Sequence, residues 1–553
     1  MNHEGLPLGD RLTDALVSQG LTRAFGLLGA GILRPVARLT RHHGLPYTNA
    51  AHENVAISMA DGYARASGDT GVVMLAGGPA LTNGLTSLVT ARRASSPLLI
   101  VSPVVEPTTP NPFESLQALD QRRVLESVGV EMVEVGPGPE TEEVIAELWE
   151  TVRAERRPVV LAYSVDHQHA VGTGPSSVAR APRSPVAATP VATIDAVVSA
   201  LEQAERPLFV VGRGASHSGA VPAIGELADR TGAAVGTTLQ ALGALAGRPG
   251  ALGIVGGYAS PRDVPVLRSA DCVIAFGASL NQFTADQGHS FAPDVEVICI
   301  DLGADEAQDE RGAVPARRRL RGDAAEVARS ALERLGPQPE PVWWASLLAE
   351  APVAPPAAPV ADGAPFDPDA VCARIDQAAP AERTVVTDSS RSGAYAVQNL
   401  RIPDARSLMH MQDFLAVGGG LGAAIGAAIG RPGRLTVLVI GDGGMLMTLG
   451  DLRTVAACEQ PLLLVVLDDS GFGTEAMVAR HARIPPEDSE HGDFDFVGAA
   501  VAAGVDAVRL GSLDELDGIV RRVVDSGRPL LLECRISIEH VPRVYEHLLG
   551  SSG

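Results

Sequence analysis

The amino-acid sequence predicts an α/β protein with three open, mostly parallel sheets, one in each of three domains. Two observations support this fold class. Short apolar runs rich in β-forming residues alternate with amphipathic stretches along the whole chain, which is the pattern of repeated strand–helix units. Several runs are almost uninterrupted Val, Ile and Leu, as expected of strands that are buried on both faces of a parallel sheet.

The apolar runs identify the central strands. Residues between the runs show helical spacing of apolar positions, which predicts helices that include 53–66 and 449–457. The predicted strands are 71–75, 98–101, 159–162, 208–211, 272–275, 297–300, 384–387, 435–440 and 462–467.

Two segments rich in Pro, Ala, Ser and Gly predict linkers. They are residues 171–190 and 346–368, and neither shows apolar periodicity over its length. They divide the chain into predicted domains at 1–170, 191–345 and 369–553, each of an ordinary domain size.

Composition excludes some classes of partner. The 553 residues include 44 Lys and Arg against 66 Asp and Glu, a formal net charge of -22. A chain this acidic, without a basic block, does not suit a phosphate backbone, so we expect no nucleic-acid partner. The five cysteines are scattered, the first residues do not resemble a signal peptide, and no apolar stretch is long enough to span a bilayer. We therefore expect a cytoplasmic protein without a membrane partner.

The third segment carries two aspartates that follow buried strands. Asp442 lies in a Gly-Asp-Gly motif after the run 435–440, and Asp469 lies in an Asp-Asp-Ser-Gly motif after the run 462–467. The carboxyl ends of parallel strands meet at one edge of a sheet, so both carboxylates can face one site. Two carboxylates with backbone oxygens suit Mg²⁺. The alternative is that Asp442 caps a helix and Asp469 forms a turn.

This segment resembles the thiamine diphosphate motif, in which Gly-Asp-Gly is followed one strand–helix unit later by Asn-Asn. The resemblance implies that Asp442, Asp469 and the carbonyl of Gly471 bind Mg²⁺ on the cofactor diphosphate. It is incomplete in two respects, since both Asn positions are Asp and Gly444 replaces the usual Ser or Thr. The residues implied to contact the cofactor here are Gly441, Asp442, Gly443, Gly444, Asp469, Gly471, Phe472, Ser389 and Ser390.

Glu53 is the candidate acid that activates the cofactor. It stands near the start of a predicted helix, where electrostatics at the helix end alone favour an acid. The segment 53–68, however, resembles the pyrimidine-binding domain of the same family through its E-x-x-A-x-x-M-A-x-G-Y-A-R-x-x-G pattern. The resemblance implies that Glu53 binds N1′ of the aminopyrimidine and promotes the tautomer that deprotonates the thiazolium carbon.

The glycine-rich segment 412–430 resembles the family's aminopyrimidine loop. The resemblance implies that Val417 wedges the cofactor into a bent form and that the carbonyl of Leu415 accepts a hydrogen bond from N4′. Two alternatives are a Gly/Ala helix packed on the sheet, which we expect for 421–430, and a dinucleotide fingerprint, which is incomplete here.

The resemblance covers nearly the whole chain in the order pyrimidine-binding, central and diphosphate-binding domain. The family is the acetolactate synthase, pyruvate decarboxylase and benzoylformate decarboxylase superfamily. Some members bind FAD in the central domain. In this sequence Gly212-Arg213-Gly214 is explained equally well by a tight strand-to-helix turn, and we do not expect FAD.

Glu475 and Gln117 are the candidates for acid–base and orienting roles towards the substrate. Glu475 resembles the catalytic Glu of pyruvate decarboxylases, although a first-turn solvated carboxylate explains it equally well. Gln117 resembles the active-site Gln of acetolactate synthases, while the His pair of pyruvate decarboxylases is absent from segment 105–121.

The resemblance implies an enzyme that decarboxylates a small 2-oxo acid and then protonates the enamine or passes it to an acceptor carbonyl compound. It also implies a homodimer or homotetramer with active sites between chains. Two other readings stay open. One is a non-catalytic or regulatory homologue, and the other is a flavin-dependent oxidase of pyruvate.

Overall fold

Runs of Val, Ile and Leu form the centres of three six-stranded sheets in a computed structural model of the protein. The structure describes residues 5–108, 115–171, 188–303, 317–336, 342–350 and 365–545. Neighbouring strands pair in the parallel sense in all three sheets. The predicted fold class is confirmed.

The first sheet has the strand order β2-β1-β3-β4-β6-β5. Its strands are β1 (Ala24–Leu27), β2 (Tyr47–Asn49), β3 (Gly71–Leu75), β4 (Leu98–Val101), β5 (Glu131–Glu134) and β6 (Val159–Ala162). Its helices are α1 (Leu8–Ser18), α2 (Leu33–Ala37), α3 (Glu53–Ser67), α4 (Pro79–Asn83), α5 (Leu85–Arg93), α6 (Gln121–Ser127) and α7 (Thr141–Glu155).

The second sheet has the order β12-β11-β10-β7-β8-β9. Its strands are β7 (Pro207–Val211), β8 (Ala234–Thr237), β9 (Ala251–Ile254), β10 (Cys272–Phe276), β11 (Glu296–Asp301) and β12 (Arg317–Arg321). The helices of this segment are α8 (Val191–Gln203), α9 (Arg213–His217), α10 (Val221–Thr231), α11 (Val264–Ser269), α12 (Ala324–Arg334) and α13 (Trp344–Ala349).

The third sheet has the order β14-β13-β15-β16-β18-β17. Its strands are β13 (Arg383–Thr387), β14 (Leu408–His410), β15 (Leu435–Gly441), β16 (Leu462–Asp468), β17 (Asp506–Arg509) and β18 (Leu530–Arg535). Its helices are α14 (Pro368–Ala378), α15 (Arg391–Asn399), α16 (Gly420–Gly430), α17 (Asp442–Met447), α18 (Leu452–Ala456), α19 (Gly473–His481), α20 (Phe496–Ala503) and α21 (Leu516–Ser526).

Each predicted apolar run is a strand, and the observed strands are at most one residue longer at either end. The helix predicted at 53–66 is α3. The helix predicted at 449–457 is wrong in detail, because a 3-10 turn (Leu449–Asp451) precedes the short α18. The carboxylate of Asp451, the residue before α18, accepts hydrogen bonds from the hydroxyl of Thr454 (2.8 Å) and the backbone N–H of Ala51 (2.7 Å).

The described chain divides into two compact units. One contains the first and third sheets, and the other contains the second sheet with Val397–Leu408 and the residues from His540. The predicted linkers lie largely outside the described residues, namely at 172–187 and 351–364, so the three domain boundaries stay a prediction. In the described part of the chain, no helix has the length and hydropathy needed to cross a lipid bilayer.

Helices α3 and α16 touch backbone to backbone within the first unit. A Cβ added to Gly62 would lie 2.0 Å from the carbonyl oxygen of Ala423, and one added to Gly426 would lie 1.9 Å from that of Met59. Any side chain at these positions would push the helices apart. Gly62 and Gly426 therefore allow close packing between α3, which begins at Glu53, and α16, which follows the predicted aminopyrimidine loop.

Candidate active site

Asp442 and Asp469 meet at one edge of the third sheet, as the sequence predicts. Strands β15 and β16 are neighbours in register, with Gly441 opposite Leu467, and each aspartate follows its strand directly. The backbone N–H of Gly471 donates to Oδ2 of Asp442 over 3.0 Å. The structure thus brings Asp442, Asp469 and Gly471 together.

The electrostatics of this edge fit a bound cation. Burial, followed by the negative charges of Asp469 and Asp468, raises the pKa of Asp442 to about 8. Oδ1 of Asp469 is buried, and it has no hydrogen-bond partner among the described residues. No group of three or more His, Cys, Asp and Glu side chains suited to a metal occurs in the described ranges. A cation here would therefore need backbone and ligand oxygens besides the carboxylates, which is how Mg²⁺ is commonly bound.

Arg391 forms a buried ion pair with Asp469 that sequence reasoning missed. It is the first residue of α15, and its Nη2 donates to Oδ2 of Asp469. The side chains of Arg391 and Asp469 are only 4% and 6% exposed. The signal in the sequence was weak. Arg391 shares the sheet edge after β13 with Ser389 and Ser390, but nothing in its spacing points to position 469.

His491 and Phe472 border the aspartates. Nε2 of His491 lies 3.3 Å from Oδ2 of Asp442. The rings of His491 and Phe472 meet edge to face, with 5.4 Å between their centroids. Sequence reasoning included Phe472 and missed His491, which lies in a polar segment without a strand-end position to mark it.

The serines lie beside the Gly-Asp-Gly turn. Ser389 is buried, and Ser390 shares a hydrogen bond of 2.5 Å with Ser392 through their hydroxyls. A Cβ added to Gly441 would lie 3.6 Å from Oγ of Ser390, so this hydroxyl is next to the turn. The position suits contact with a diphosphate, because hydroxyls and free backbone N–H groups are its usual neutral donors.

Asp388 anchors the loop that carries Leu415 and Val417. Its fully buried carboxylate accepts hydrogen bonds from the backbone N–H groups of Gly418 (2.8 Å) and Gly420 (3.0 Å). Burial raises the pKa of Asp388 in spite of these bonds. A Cβ added to Gly444 would lie 2.3 Å from Oδ2 of Asp388. The buried carboxylate thus explains why glycine stands where the motif usually has Ser or Thr.

The loop presents Leu415 and Val417 to the outside of the described chain. Leu415 is 62% exposed and has a φ of +55°, and Val417 is 36% exposed. The left-handed backbone at a leucine is costly, which is typical of residues held for a function. The Gly/Ala helix expected at 421–430 is the body of α16, so that interpretation is correct for the residues after the loop.

Glu53 begins α3 but does not cap it. The ring of His52 accepts the hydrogen bond from the backbone N–H of Asn54 (3.1 Å). Oε2 of Glu53 instead accepts a hydrogen bond from the side-chain amide of Asn83 (3.0 Å), and Glu53 is 9% exposed. Within the described residues, no hydrogen bond or ion pair joins Glu53 to the aspartates of the third sheet. Sequence reasoning missed Asn83, which ends the short helix α4.

The substrate-side candidates differ in their surroundings. Glu475 is exposed in the first turn of α19. Gln117 is also exposed, and its backbone lies against Gly78, where an added Cβ would be 2.1 Å from the carbonyl oxygen of Gln117. Gly78 follows β3, so Gln117 lies near the carboxyl edge of the first sheet. In the second sheet, a Cβ added to Gly212 would lie 2.1 Å from the carbonyl oxygen of Gly277, which fits a tight strand-to-helix turn.

Three models of one protein family match the chain in order. The N-terminal TPP binding domain matches residues 7–122, the central domain matches 194–331, and the C-terminal TPP binding domain matches 388–534. Since these matches cover most of the chain, the protein belongs to the thiamine pyrophosphate enzyme family. The predicted family is confirmed.

Two relatives and one solved structure align over almost the whole chain. The acetolactate synthase isozyme 2 large subunit of Escherichia coli is 27% identical over an alignment of 553 positions, which covers 96% of this chain and 95% of that protein. A probable 2-ketoarginine decarboxylase of Pseudomonas aeruginosa is 29% identical over an alignment of 568 positions, which covers 96% of this chain and 94% of that protein. A thiamine diphosphate-dependent 4-hydroxybenzoylformate decarboxylase of Rhodococcus jostii has a TM-score of 0.77 at 20% identity, with 96% and 99% covered, which shows the shared fold.

Proposed function

We propose that the protein is a thiamine diphosphate- and Mg²⁺-dependent enzyme that decarboxylates a small 2-oxo acid. The product is released after protonation or joined to a second carbonyl compound, as in acetolactate synthase. The observation that carries the proposal is the meeting of Asp442, Asp469 and Gly471 at one strand edge, in a chain that has both TPP binding domains of the family.

The residues at the strand edge would hold the diphosphate through a metal. Asp442, Asp469 and the carbonyl of Gly471 supply oxygen ligands, and Ser389, Ser390 and the N–H groups of the 441–444 turn are candidates for phosphate contacts. The loop carrying Leu415 and Val417 would orient the aminopyrimidine. When bound, thiamine diphosphate supplies a nucleophilic carbon that adds to the 2-oxo group and accepts the electrons released with carbon dioxide.

Glu53 would exchange a proton with the aminopyrimidine N1′. Its carboxylate is nearly buried and is oriented by Asn83, which suits a group that shares a proton with a weakly basic ring nitrogen. A homologue without catalysis has no need of a buried and oriented acid here. The carboxylate therefore favours an enzyme over a regulatory homologue.

Glu475 and Gln117 would act on the substrate side. A carboxyl group can donate the proton that product release requires, once a closed site desolvates it. The amide of Gln117 can orient a carboxylate or carbonyl oxygen. Because Glu53 has no polar contact with the aspartates within the described chain, we further propose a homodimer or homotetramer in which each site combines two chains.

A panel of 2-oxo acids tests the proposal. Purified protein is incubated with thiamine diphosphate, Mg²⁺ and each acid, with and without small aldehydes or ketones, and the products are identified by mass. We expect carbon dioxide and an aldehyde or a hydroxyketone from at least one acid, and no product after removal of the metal by a chelator. Cofactor binding without turnover of any acid favours the regulatory homologue, and a yellow, oxygen-consuming protein favours the flavin oxidase.

Mixing two inactive variants tests the assembly. Glu53→Gln and Asp442→Ala impair different halves of the proposed site. If subunits exchange, mixed dimers contain one intact site, and part of the activity returns. Sedimentation that shows an active monomer contradicts the shared site.

A further inference from the structure

The two carboxylate oxygens of Asp469 have different surroundings, because only one of them contacts Arg391. Oδ2 of Asp469 accepts a hydrogen bond from Nη2 of Arg391, whereas Oδ1 is buried and has no hydrogen-bond partner among the described residues. A buried carboxylate oxygen without a donor is costly. Oδ1 is therefore the oxygen of Asp469 that is available to bind a cation or a donor group.

Arg391 is fixed by several contacts besides Asp469. Its Nη1 donates to the carbonyl of Ile538 over 2.8 Å, and its backbone N–H donates to the hydroxyl of Thr474 over 3.3 Å. A Cβ added to Gly473 would lie 2.3 Å from both Nε of Arg391 and Oδ2 of Asp469. The chain therefore keeps space open around this pair, and the guanidinium holds the carboxylate in one orientation.

The pair also balances charge at a crowded edge. Asp442, Asp468 and Asp469 lie at the ends of the neighbouring strands β15 and β16 with buried carboxylates, so their negative charges are unfavourable together unless cations offset them. The pair adds no net charge to the site, because the guanidinium cancels the carboxylate. Removing either partner alone would leave a buried charge without its counterpart.

We propose that Arg391 is a positioning residue of the cation site. It holds Asp469 through Oδ2, so that Oδ1 is the oxygen offered to a divalent cation, and it cancels the charge that an aspartate adds beside a diphosphate. This inference rests on the proposed function, since the diphosphate is that of the proposed cofactor.

Four proteins test the inference: wild type, Asp469→Asn, Arg391→Gln and the double variant. The affinity for Mn²⁺ is measured from the electron paramagnetic resonance signal of the free ion in the presence of thiamine diphosphate. Arg391→Gln removes the residue that positions a ligand, so we expect affinity to fall about 10- to 100-fold. Asp469→Asn leaves the buried guanidinium beside the metal without its counter-charge, so affinity should fall there as well. The double variant has neutral amides at both positions and should return to within about three-fold of wild type, a non-additive result.

Circular dichroism and the temperature of unfolding are followed for all four proteins without metal. If Asp469→Asn does not fold, the Mn²⁺ affinity of the double variant alone tests the inference. Affinity within about three-fold of wild type supports the charge balance, and a greater loss contradicts it. Arg391→Lys keeps the charge, so it should retain Mn²⁺ affinity better than Arg391→Gln, which a merely space-filling role would not produce.

The remaining outcomes separate this inference from the proposed function. If the losses of Mn²⁺ affinity in the two single variants add up in the double variant, the positioning role of Arg391 is wrong. That result would not contradict the proposed binding of thiamine diphosphate. Wild-type binding of thiamine diphosphate without any divalent metal, lost in Arg391→Gln, would mean that the guanidinium replaces the metal and would also overturn it. If wild type binds no thiamine diphosphate under any condition, the proposed function itself fails.

Discussion

The guanidinium carbon of Arg93 lies 4.5 Å from the centre of the Phe414 ring. Arg93 ends α5 of the first sheet, and Phe414 directly precedes Leu415 in the loop of the third sheet. Nη1 of Arg93 also approaches the carbonyl of Asp413 at 3.5 Å. A residue of the first sheet's segment thus contacts the loop of the third sheet that carries Leu415 and Val417 and that would bind the cofactor.

Removing the Arg93 contact should loosen the loop. We expect Arg93→Ala to weaken thiamine diphosphate binding about 2- to 5-fold, since an exposed cation–π contact is worth about 0.5–1 kcal/mol. Calorimetric titration in excess Mg²⁺ measures the change. Arg92→Ala is the matched control, because Nε of Arg92 bonds the carbonyl of Gly129 instead. Equal losses in the two variants would contradict the positioning of the loop by Arg93.

A side chain at position 444 should destabilise the protein. Gly444→Ser restores the usual residue of the motif but places a Cβ 2.3 Å from a buried carboxylate oxygen of Asp388. We expect the free energy of unfolding to fall by about 1–3 kcal/mol, as for other overpacked sites. Urea titration measures it. Gly518→Ser is the control, because an added Cβ there has no neighbour within 4 Å. Equal stability of both variants would show that Asp388 can move aside.

Glu53→Gln should abolish most of the activity without unfolding the chain. The amide keeps the size of the side chain but cannot exchange the proton. We expect a rate lower by about 10²–10⁴, the usual contribution of a positioned acid–base group. Steady-state rates on the substrate found by the 2-oxo acid panel measure the loss. The exposed Glu126→Gln on α6 is the control. Full activity of Glu53→Gln would remove this residue from the mechanism.

Glu475→Gln should separate product formation from cofactor activation. The variant lacks the proposed proton donor at the substrate, so turnover falls. Exchange of the thiazolium C2 proton for deuterium should stay near the wild-type rate, because it depends on Glu53. Quenched-flow NMR measures the exchange. If exchange and turnover fall in parallel, Glu475 acts on the cofactor or supports the fold.

The stability of the first domain should depend on pH through Asp14. Burial opposes ionisation of Asp14, but hydrogen bonds from Arg38 and His43 outweigh it and lower the pKa of this carboxyl group. An acid whose folded pKa is lowered stabilises the protein above its unfolded pKa, and that contribution disappears as the pH falls through the folded pKa. Wild type should therefore lose stability more steeply than Asp14→Asn below about pH 4. Urea unfolding at several pH values checks this, and parallel curves would contradict it.

The sequence predicts nine of the interior strands, but it misses three others (β1, β8 and β18) and all the edge strands. Runs such as 435–440 are visible because both faces of those strands are apolar. Edge strands such as β17 (Asp506–Arg509) are half exposed and mix charged with apolar residues, so no run marks them. Strand-end positions likewise predicted that Asp442 and Asp469 would share one site, because the carboxyl ends of parallel strands meet at one edge of the sheet.

The missing site residues depend on contacts between distant parts of the chain. Arg391 and Asp469 are paired across 78 positions, and Glu53 and Asn83 across 30. Asp388 could be recognised as a strand-end acid, but its bonds to Gly418 and Gly420 depend on how the loop folds back. From the sequence alone, Asp469→Asn restores the usual family residue. The ion pair predicts instead that this change is unfavourable, because it leaves a buried arginine without its partner.

The glycine contacts between α3 and α16 limit how this scaffold could be redesigned. Positions 62 and 426 accept only glycine, because even a methyl group would lie 2.0 Å or less from a carbonyl oxygen. A library aimed at new substrates should therefore hold both positions constant and vary the exposed Leu415, Val417 and Glu475. Substitutions at the helix contact would yield mostly unfolded variants. Substitutions at the exposed positions would change the surroundings of the substrate while the fold stays the same.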